Sequence, residues 1–228
     1  MCIRDRYADL MRVSVASAGN DHRLGANEAP PAIVSIFLGD ELTAVLNSIE
    51  NDTFFGKQQK IQMETGAAVL PHFFKDNTDR NRTSPFAFTG NKFEFRMVGS
   101  RDSIASANIV LNTIVAEAFS EACDVMEQAD DVQKAIHDLI KEYAIENQKI
   151  IFNGDGYSQA WVEEAQRRGL PNIKSMVESI PALVSDKSVE LFEKFGVFTR
   201  TELESRAEIR YENYSNCLLY TSDAADEA

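Results

Sequence analysis

The sequence predicts an α+β protein in which a few antiparallel strands are followed by a mostly helical C-terminal half. Residues 92–97 read Lys-Phe-Glu-Phe-Arg-Met, and this alternation of charged and apolar side chains is typical of a strand. Residues 32–38 form a short apolar run with β-branched side chains, which is typical of a buried strand. After residue 103, apolar residues recur every three or four positions, which indicates helices.

The elements before residue 92 are short and irregular. Residues 8–18 are apolar enough for a short helix, and residues 19–31 predict a loop because two consecutive prolines near its end exclude helix. A further helix is expected over residues 40–50, where an aspartate can cap its first turn. Residues 51–91 show little periodicity, so a long loop that serves a function or is supported by its neighbours is expected there. The alternating strand follows over residues 92–98.

The helical half contains the clearest periodicity. The predicted helices begin at Ser103, Asp131, Trp161, Asp186 and Thr199. The first carries a long apolar stripe, which includes Phe119 and which we predict to face the core. The last begins with a capping box in which Thr199 precedes Glu202 by three positions, and it is expected to run to about Tyr214.

The strand at residues 92–98 has a charged face. Lys92, Glu94 and Arg96 point one way, while the aromatic side chains point the other way, towards a core. A carboxylate between two cations that lie about 7 Å apart along a strand stays ionised and suits a hard metal ion. The two cations suit phosphate or carboxylate groups. From the pattern alone, the favoured interpretation is an edge or half-exposed strand whose charges simply meet water.

Composition excludes several partners. The formal net charge is −13, and no basic stripe occurs, so nucleic acid and anionic membranes are not expected as partners. No uninterrupted apolar run is long enough for a membrane span, and the first residues lack the apolar run of a signal peptide. A cytoplasmic protein is therefore expected.

Two loops and the charged strand together resemble a known family. Residues 23–33 read RLGANEAPPAI, and residues 81–96 read NRTSPFAFTGNKFEFR. In their order and amino-acid sequence, the segments are similar to the type III branch of the glutamine synthetases. The resemblance is specific because it joins separate loops to the strand.

The resemblance implies the ATP-dependent ligation of ammonia to L-glutamate through a γ-glutamyl phosphate intermediate. It also implies two divalent cations, Mg²⁺ or Mn²⁺, at each site. Glu94 would be a ligand of one of these cations, and Arg82 would neutralise the phosphates during transfer. Lys92 would lie near the ATP phosphates, where the family usually has an arginine.

The resemblance assigns the remaining site residues to glutamate and ammonia. Arg23 would hold a carboxylate of the substrate glutamate, and Arg96 would hold a glutamate carboxylate or the transferred phosphoryl group, because a guanidinium fork matches such anions. Glu28 would belong to a flap that closes the site, helps to take a proton from ammonium and shields the acyl phosphate from water.

The resemblance also implies that the chain is a fragment. Residues 7–128 would be part of the catalytic domain, and residues 129–216 its helical C-terminal region. Residues 1–6 and 217–228 resemble translated sequencing-adapter sequence, so we expect them to be foreign. The N-terminal β-grasp domain and the first half of the catalytic domain would be missing. The chain alone is then expected to be inactive, whereas the longer protein would be an active, ring-forming homo-oligomer.

Two other interpretations stay open. One is a related ligase that joins glutamate to a different amine, since such an enzyme would share the phosphate, metal and glutamate contacts. The other is a non-catalytic, acidic helical interaction module, in which the helices matter and the loops do not.

Overall fold

The computed structural model describes residues 6–26, 29–53, 62–63, 73–74 and 83–226. Helices make up most of this part of the chain. Their bounds are α1 Ala8–Ser14, α2 Ala18–Arg23, α3 Gly39–Glu50, α4 Ala105–Glu127, α5 Val132–Glu146, α6 Gln159–Arg167, α7 Met176–Ser179, α8 Asp186–Lys194 and α9 Arg200–Asp226. Two short 3₁₀ helices lie at Gln148–Ile150 and Ile180–Val184. No helix in these ranges combines the length and the apolar character that a bilayer span needs.

The strands are short, and most of them precede the long helices. They are β1 Ile36–Phe37, β2 Gln62–Met63, β3 Phe73–Phe74, β4 Phe86–Phe88 and β5 Phe93–Phe95. One sheet has the order β1-β4-β5, and β2 and β3 form a separate antiparallel pair. The predicted class, α+β with a mostly helical C-terminal half, is confirmed.

The strand directions differ from the prediction at one pair. β4 and β5 are antiparallel, as expected, but β1 lies parallel to β4 with Ile36 opposite Phe86. A parallel pair needs a crossover of a dozen or more residues, and the connection from β1 to β4 contains α3 and is long enough. β4 itself was not predicted, because three residues in a mostly buried strand show no alternation of polar and apolar side chains.

The first predicted helix, over residues 8–18, ends early, and a second helix lies mostly in the expected loop. α1 ends at Ser14, and α2 begins after Ser17, whose side chain accepts a hydrogen bond from the backbone N–H of Asn20. This cap restarts the helix, so the expected loop at residues 19–31 is helical as far as Arg23. Gly19, which suggests a loop in the sequence, lies inside α2.

The helical half largely follows the sequence. The side chain of Asp131 caps α5 by accepting from the N–H of Lys134 at 3.1 Å. The capping box is confirmed, because the N–H of Thr199 donates to Glu202 at 2.8 Å, and the Thr199 hydroxyl accepts from the Glu202 N–H at 3.4 Å. α9 continues to Asp226, well past the predicted end near Tyr214.

α1 lies at the centre of the core. Leu10, Met11 and Val13 are completely buried, and α1 packs against α4, α7 and the 3₁₀ helix at Ile180–Val184. The hydroxyl of Tyr7, just before α1, donates to Glu117 of α4 at 2.5 Å. Burial and this carboxylate raise the pKa of Tyr7. The contact explains how an acidic side chain is accommodated on the buried face of α4.

A buried ion pair joins α1 to α2 and to the segment before α7. Arg12 is 1% exposed, and its Nη2 donates to Asp21 at 2.7 Å and to the Lys174 carbonyl at 2.9 Å. Its Nε donates to the Ile173 carbonyl at 2.7 Å. Asp21 in turn accepts from the N–H of Met176. Because α2 ends at Arg23, this network fixes the element that carries one of the predicted site residues.

Candidate functional site

The charged strand β5 pairs with β4, so its faces are set by a β-hairpin. Ala87 lies opposite Glu94, and the rings of Phe86 and Phe95 stack with centroids 4.5 Å apart. Phe95 therefore packs towards the core, as expected. The prediction is wrong at Phe93, which is 45% exposed. In the described sheet β5 is an edge strand, so the outer part of its apolar face is left uncovered.

Glu94 lies between the two cations that flank it in the sequence. Its Oε2 accepts from Nη2 of Arg96 at 3.0 Å, and its Oε1 lies 3.3 Å from Nζ of Lys92. The hydrogen bond from Arg96, followed by that from Lys92, holds the pKa of Glu94 below its usual value. The carboxylate is therefore ionised at neutral pH, and the three side chains form one plus-minus-plus surface.

The carboxylate of Glu94 fits a hard divalent cation as one oxygen ligand among several. Its side chain is 39% exposed, and its Oε1 lies 3.3 Å from Nζ of Lys92, whose side chain is 65% exposed. In the part of the chain that the structure describes, no three His, Cys, Asp or Glu side chains come together as a cation site. Within these residues, the charged face thus offers one carboxylate and two cationic side chains.

Arg23 reaches the same end of β5. Its Nη2 donates to the carbonyl oxygens of Met97 and Val98 at 2.9 and 3.0 Å, and its Nε donates to the side chain of Asn20 at 2.9 Å. The structure therefore brings Arg23 against the backbone that directly follows Arg96. These three bonds also give Arg23 a structural task, because they tie the end of α2 to the chain leaving β5.

Asn20 is a residue of this region that the sequence analysis missed. It is 2% exposed, and its Nδ2 donates to the carbonyls of Val15 and Met97 at 2.7 and 2.9 Å. Its Oδ1 accepts from Arg23, so Asn20 orients the guanidinium. No periodicity marks a single buried amide in a helix of six residues. Only its place three positions before Arg23, on the same helix face, could have suggested the contact.

Glu28 and Arg82 lie outside the described residues. Thr83, which follows Arg82, is described, and its hydroxyl accepts a hydrogen bond from the N–H of Gly156 at 2.8 Å. Gly156 belongs to the Gly-Asp-Gly turn at residues 154–156, and a Cβ there would lie 2.5 Å from the Thr83 carbonyl oxygen. The C-terminal half therefore approaches the loop segment too closely for any side chain at Gly156.

We expect Gly156→Ala to lower the free energy of unfolding by about 1–3 kcal/mol, because the new methyl group forces the backbone of Thr83 to move. Gly19→Ala is the matched control, since Gly19 lies inside α2 and a Cβ there meets nothing within 4 Å. This control is expected to stabilise by up to about 1 kcal/mol through helix propensity. Urea unfolding followed by circular dichroism measures both, and equal midpoints for Gly156→Ala and the unchanged chain would contradict the steric argument.

The helical half matches a known family. Residues 135–222 match the model described as the glutamine synthetase C-terminal domain. The chain is 48% identical over 217 residues to a type-3 glutamine synthetase of Dictyostelium discoideum, a match that covers 94% of this chain and 30% of the relative. It is 46% identical to a glutamine synthetase of Butyrivibrio fibrisolvens, covering 94% of this chain and 31% of that protein. It is 44% identical to a glutamine synthetase of Bacteroides fragilis, a match that covers 91% of this chain and 29% of that protein.

These similarities extend over nearly the whole chain, so they include both the charged strand and the helices. The chain belongs to the glutamine synthetase family. It spans about 30% of the length of the curated relatives that it matches.

Proposed function

We propose that this chain is part of a ligase that joins ammonia to L-glutamate at the expense of ATP. The supporting observation is the ionised carboxylate of Glu94 between Lys92 and Arg96, in a chain whose relatives are named glutamine synthetase. A metal-binding carboxylate next to two anion-binding cations is what a reaction between a phosphate donor and a carboxylate requires.

The proposed reaction has two steps. The γ-carboxylate oxygen of glutamate attacks the terminal phosphorus of ATP, the bond to ADP breaks, and γ-glutamyl phosphate forms. Ammonium loses a proton, the resulting ammonia attacks the carbonyl carbon of the acyl phosphate, and the bond to inorganic phosphate breaks to give glutamine. Activation is needed because a carboxylate is a poor acyl donor to a nucleophile and its oxygen is a poor leaving group.

Each predicted site residue has a task in these steps. Glu94 would hold one of the two divalent cations, Mg²⁺ or Mn²⁺, which supply positive charge to the phosphate oxygens. Arg96 and Arg23 would orient the carboxylates of glutamate, and Lys92 would approach the ATP phosphates. Outside the described residues, Arg82 would neutralise the transferred phosphoryl group, and Glu28 would accept the proton from ammonium and exclude water.

The proposal extends to the whole protein. We place the active enzyme in the cytoplasm as a homo-oligomeric ring with sites between subunits, as the family resemblance implies. The full-length gene product should then elute as a multimer in size-exclusion chromatography with light scattering. A monomer with full ligase activity would contradict the ring.

The 228-residue chain alone is expected to form no glutamine, because it spans about 30% of its relatives and its described part contributes a single predicted metal ligand. A coupled assay for ADP, with ATP, glutamate, ammonium and Mg²⁺, tests this on the chain and on the full-length gene product. We expect activity only from the latter, and replacing ammonium by polyamines should abolish it. Glutamate-dependent turnover by the isolated chain would contradict this expectation, and inactivity of both would contradict the ligase proposal.

A further inference from the structure

A second polar site lies beside the segment that follows the charged strand β5. A cavity of about 650 Å³ lies between the α1–α2 connection, the segment after β5 and the middle of α9. Small-molecule sites in proteins have volumes of this order. Its polar lining is rich in arginines and hydroxyls, contributed by Arg23, Arg101, Arg210, Ser14, Ser17, Ser100, Ser103 and Ser106. Lys92, Glu94 and Arg96 do not line it, so it is separate from the charged face of β5.

The arginines at this cavity differ from the others in their partners. Most of the described arginines form an ion pair with a carboxylate. These are Arg6, Arg12, Arg96, Arg167, Arg168 and Arg200. In the same described ranges, Arg23, Arg101, Arg206 and Arg210 have no ion pair with a carboxylate. The chain has 36 acidic and 23 basic residues, so a shortage of carboxylates does not explain this.

These arginines without a carboxylate partner are clustered. Arg23, Arg101 and Arg210 line the cavity, and Arg206 precedes Arg210 by one turn of α9. The guanidinium of Arg206 lies over the ring of Phe198, 4.1 Å from its centroid. The described arginines that lack a carboxylate partner therefore lie close together in a chain of net charge −13.

Arg210 is held in a position where an additional negative charge is favourable. Its Nη1 donates to the carbonyl oxygens of Val13 and Ala16 at 2.8 and 3.3 Å, which complements the end of α1. Burial lowers the pKa of Arg210, and the neighbouring Arg206 lowers it further. Two like charges on successive turns repel each other, so an anion beside Arg210 would relieve this repulsion.

Arg101 and Asp102 are the other two charged residues in the described cavity lining. Arg101 is exposed, and its side chain forms no hydrogen bond or ion pair with the described residues. Among the described residues of the lining, Asp102 is the one carboxylate, and it accepts a hydrogen bond from the Ser17 hydroxyl at 3.1 Å. The three lining arginines and this aspartate leave an excess of positive charge, and the serines add neutral donors.

We propose that this cavity binds a small oxyanion, a phosphate or carboxylate group, between the guanidinium groups of Arg101 and Arg210. Guanidinium groups without a carboxylate partner, with hydroxyl donors beside them, are suited to recognise such anions. Arg23 also lines the cavity and holds the backbone after β5, so an anion there contacts a residue that is attached to the charged strand. The proposal concerns binding to this chain and does not depend on the ligase reaction.

Calorimetric titration of the 228-residue chain at constant ionic strength tests the proposal, with inorganic phosphate in one arm and L-glutamate in the other. We expect saturable binding of at least one, and the arm that saturates identifies the phosphate or the carboxylate as the group recognised. Arg101→Gln should weaken this binding about tenfold or more, since it removes a hydrogen-bonding cation. Because Arg101 forms no side-chain bond within the described part, the variant should keep the fold.

Arg167→Gln is the matched control, because Arg167 is an exposed arginine on α6 that pairs with Glu164, away from the cavity. Its affinity for the anion should equal that of the unchanged chain. The proposal is overturned if neither anion shows saturable binding. It is also overturned if the Arg101 and Arg167 variants bind equally well, since the anion then binds elsewhere. Thermal unfolding with and without the anion should give the same ranking, because a ligand stabilises the state that binds it.

Discussion

Replacing Glu94 by glutamine in the full-length gene product is expected to lower the rate of glutamine formation by about 10²- to 10³-fold. Glutamine has nearly the same shape but no charge, so it loses affinity for a hard cation and leaves Lys92 and Arg96 unbalanced. The apparent affinity for Mg²⁺ should fall together with kcat. Steady-state assays over a range of Mg²⁺ concentrations measure both effects. The lower apparent affinity for Mg²⁺ distinguishes the loss of a metal ligand from a misplaced substrate.

Two controls separate this role from a structural one. Lys92→Arg restores the residue that the family usually has and should retain most of the activity. Glu163→Gln removes an exposed carboxylate of α6 and should change nothing. Glu94 is partly exposed, so the variant should also unfold at nearly the same urea concentration as the unchanged protein. Unchanged activity of Glu94→Gln would favour the alternative of an acidic helical module.

The sequence indicated the charged face of β5 because alternation in a strand has a simple physical cause. Side chains two residues apart must lie on one face, so Lys92, Glu94 and Arg96 had to be neighbours. It could not indicate the position of Arg23, because the contacts of Arg23 are with backbone carbonyls and with the buried amide of Asn20. Backbone acceptors are present at every residue and leave no pattern in a sequence. The roles of these residues in catalysis stay predictions.

The helical half was predicted well because its helices have caps and long apolar stripes. A stripe shows which face is apolar, and it does not show what covers that face. Phe119, on the predicted core face of α4, is 67% exposed in the described structure. Together with Phe93 it borders an apolar groove of about 680 Å³ between α3, β5, α4 and α5. The early end of α1 and the start of α2 were missed for a different reason. α2 begins at a single serine cap, and no apolar stripe marks it in the sequence.

The described arginines on the strand face and at the cavity differ in whether they have a carboxylate partner. Arg96 is balanced by Glu94 and stays on the strand face, where a metal ion and phosphates would share the carboxylate. Arg101 and Arg210 have no carboxylate partner among the described residues, so their charge is available to a ligand in the cavity. Arg23 lies between the two surfaces and is attached to the backbone of the strand. Arg23 therefore contacts both the cavity and the backbone that follows Arg96.

The largest effect on stability is expected at the buried pair of Arg12 and Asp21. Arg12→Met should lower the free energy of unfolding by about 3–5 kcal/mol, because it removes the buried guanidinium that bonds to the Asp21 carboxylate. The carbonyls of Ile173 and Lys174 lose their donors at the same time. Arg12 is not an ideal fit, since its Nη1 is buried without a hydrogen-bond partner among the described residues. Urea unfolding followed by circular dichroism measures the loss.

The double variant Arg12→Met with Asp21→Asn should recover part of this loss, because no unpaired charge is then buried. Arg167→Met is the surface comparison: its side chain is 74% exposed and its pair with Glu164 faces water, so the change should stay below about 1 kcal/mol. If Arg12→Met and Arg167→Met shifted the unfolding midpoint equally, the network would not hold α1, α2 and the segment before α7 together. A large loss at Arg12 and a small one at Arg167 would show that the buried pair stabilises the packing of α1 against α2, the helix that carries Arg23.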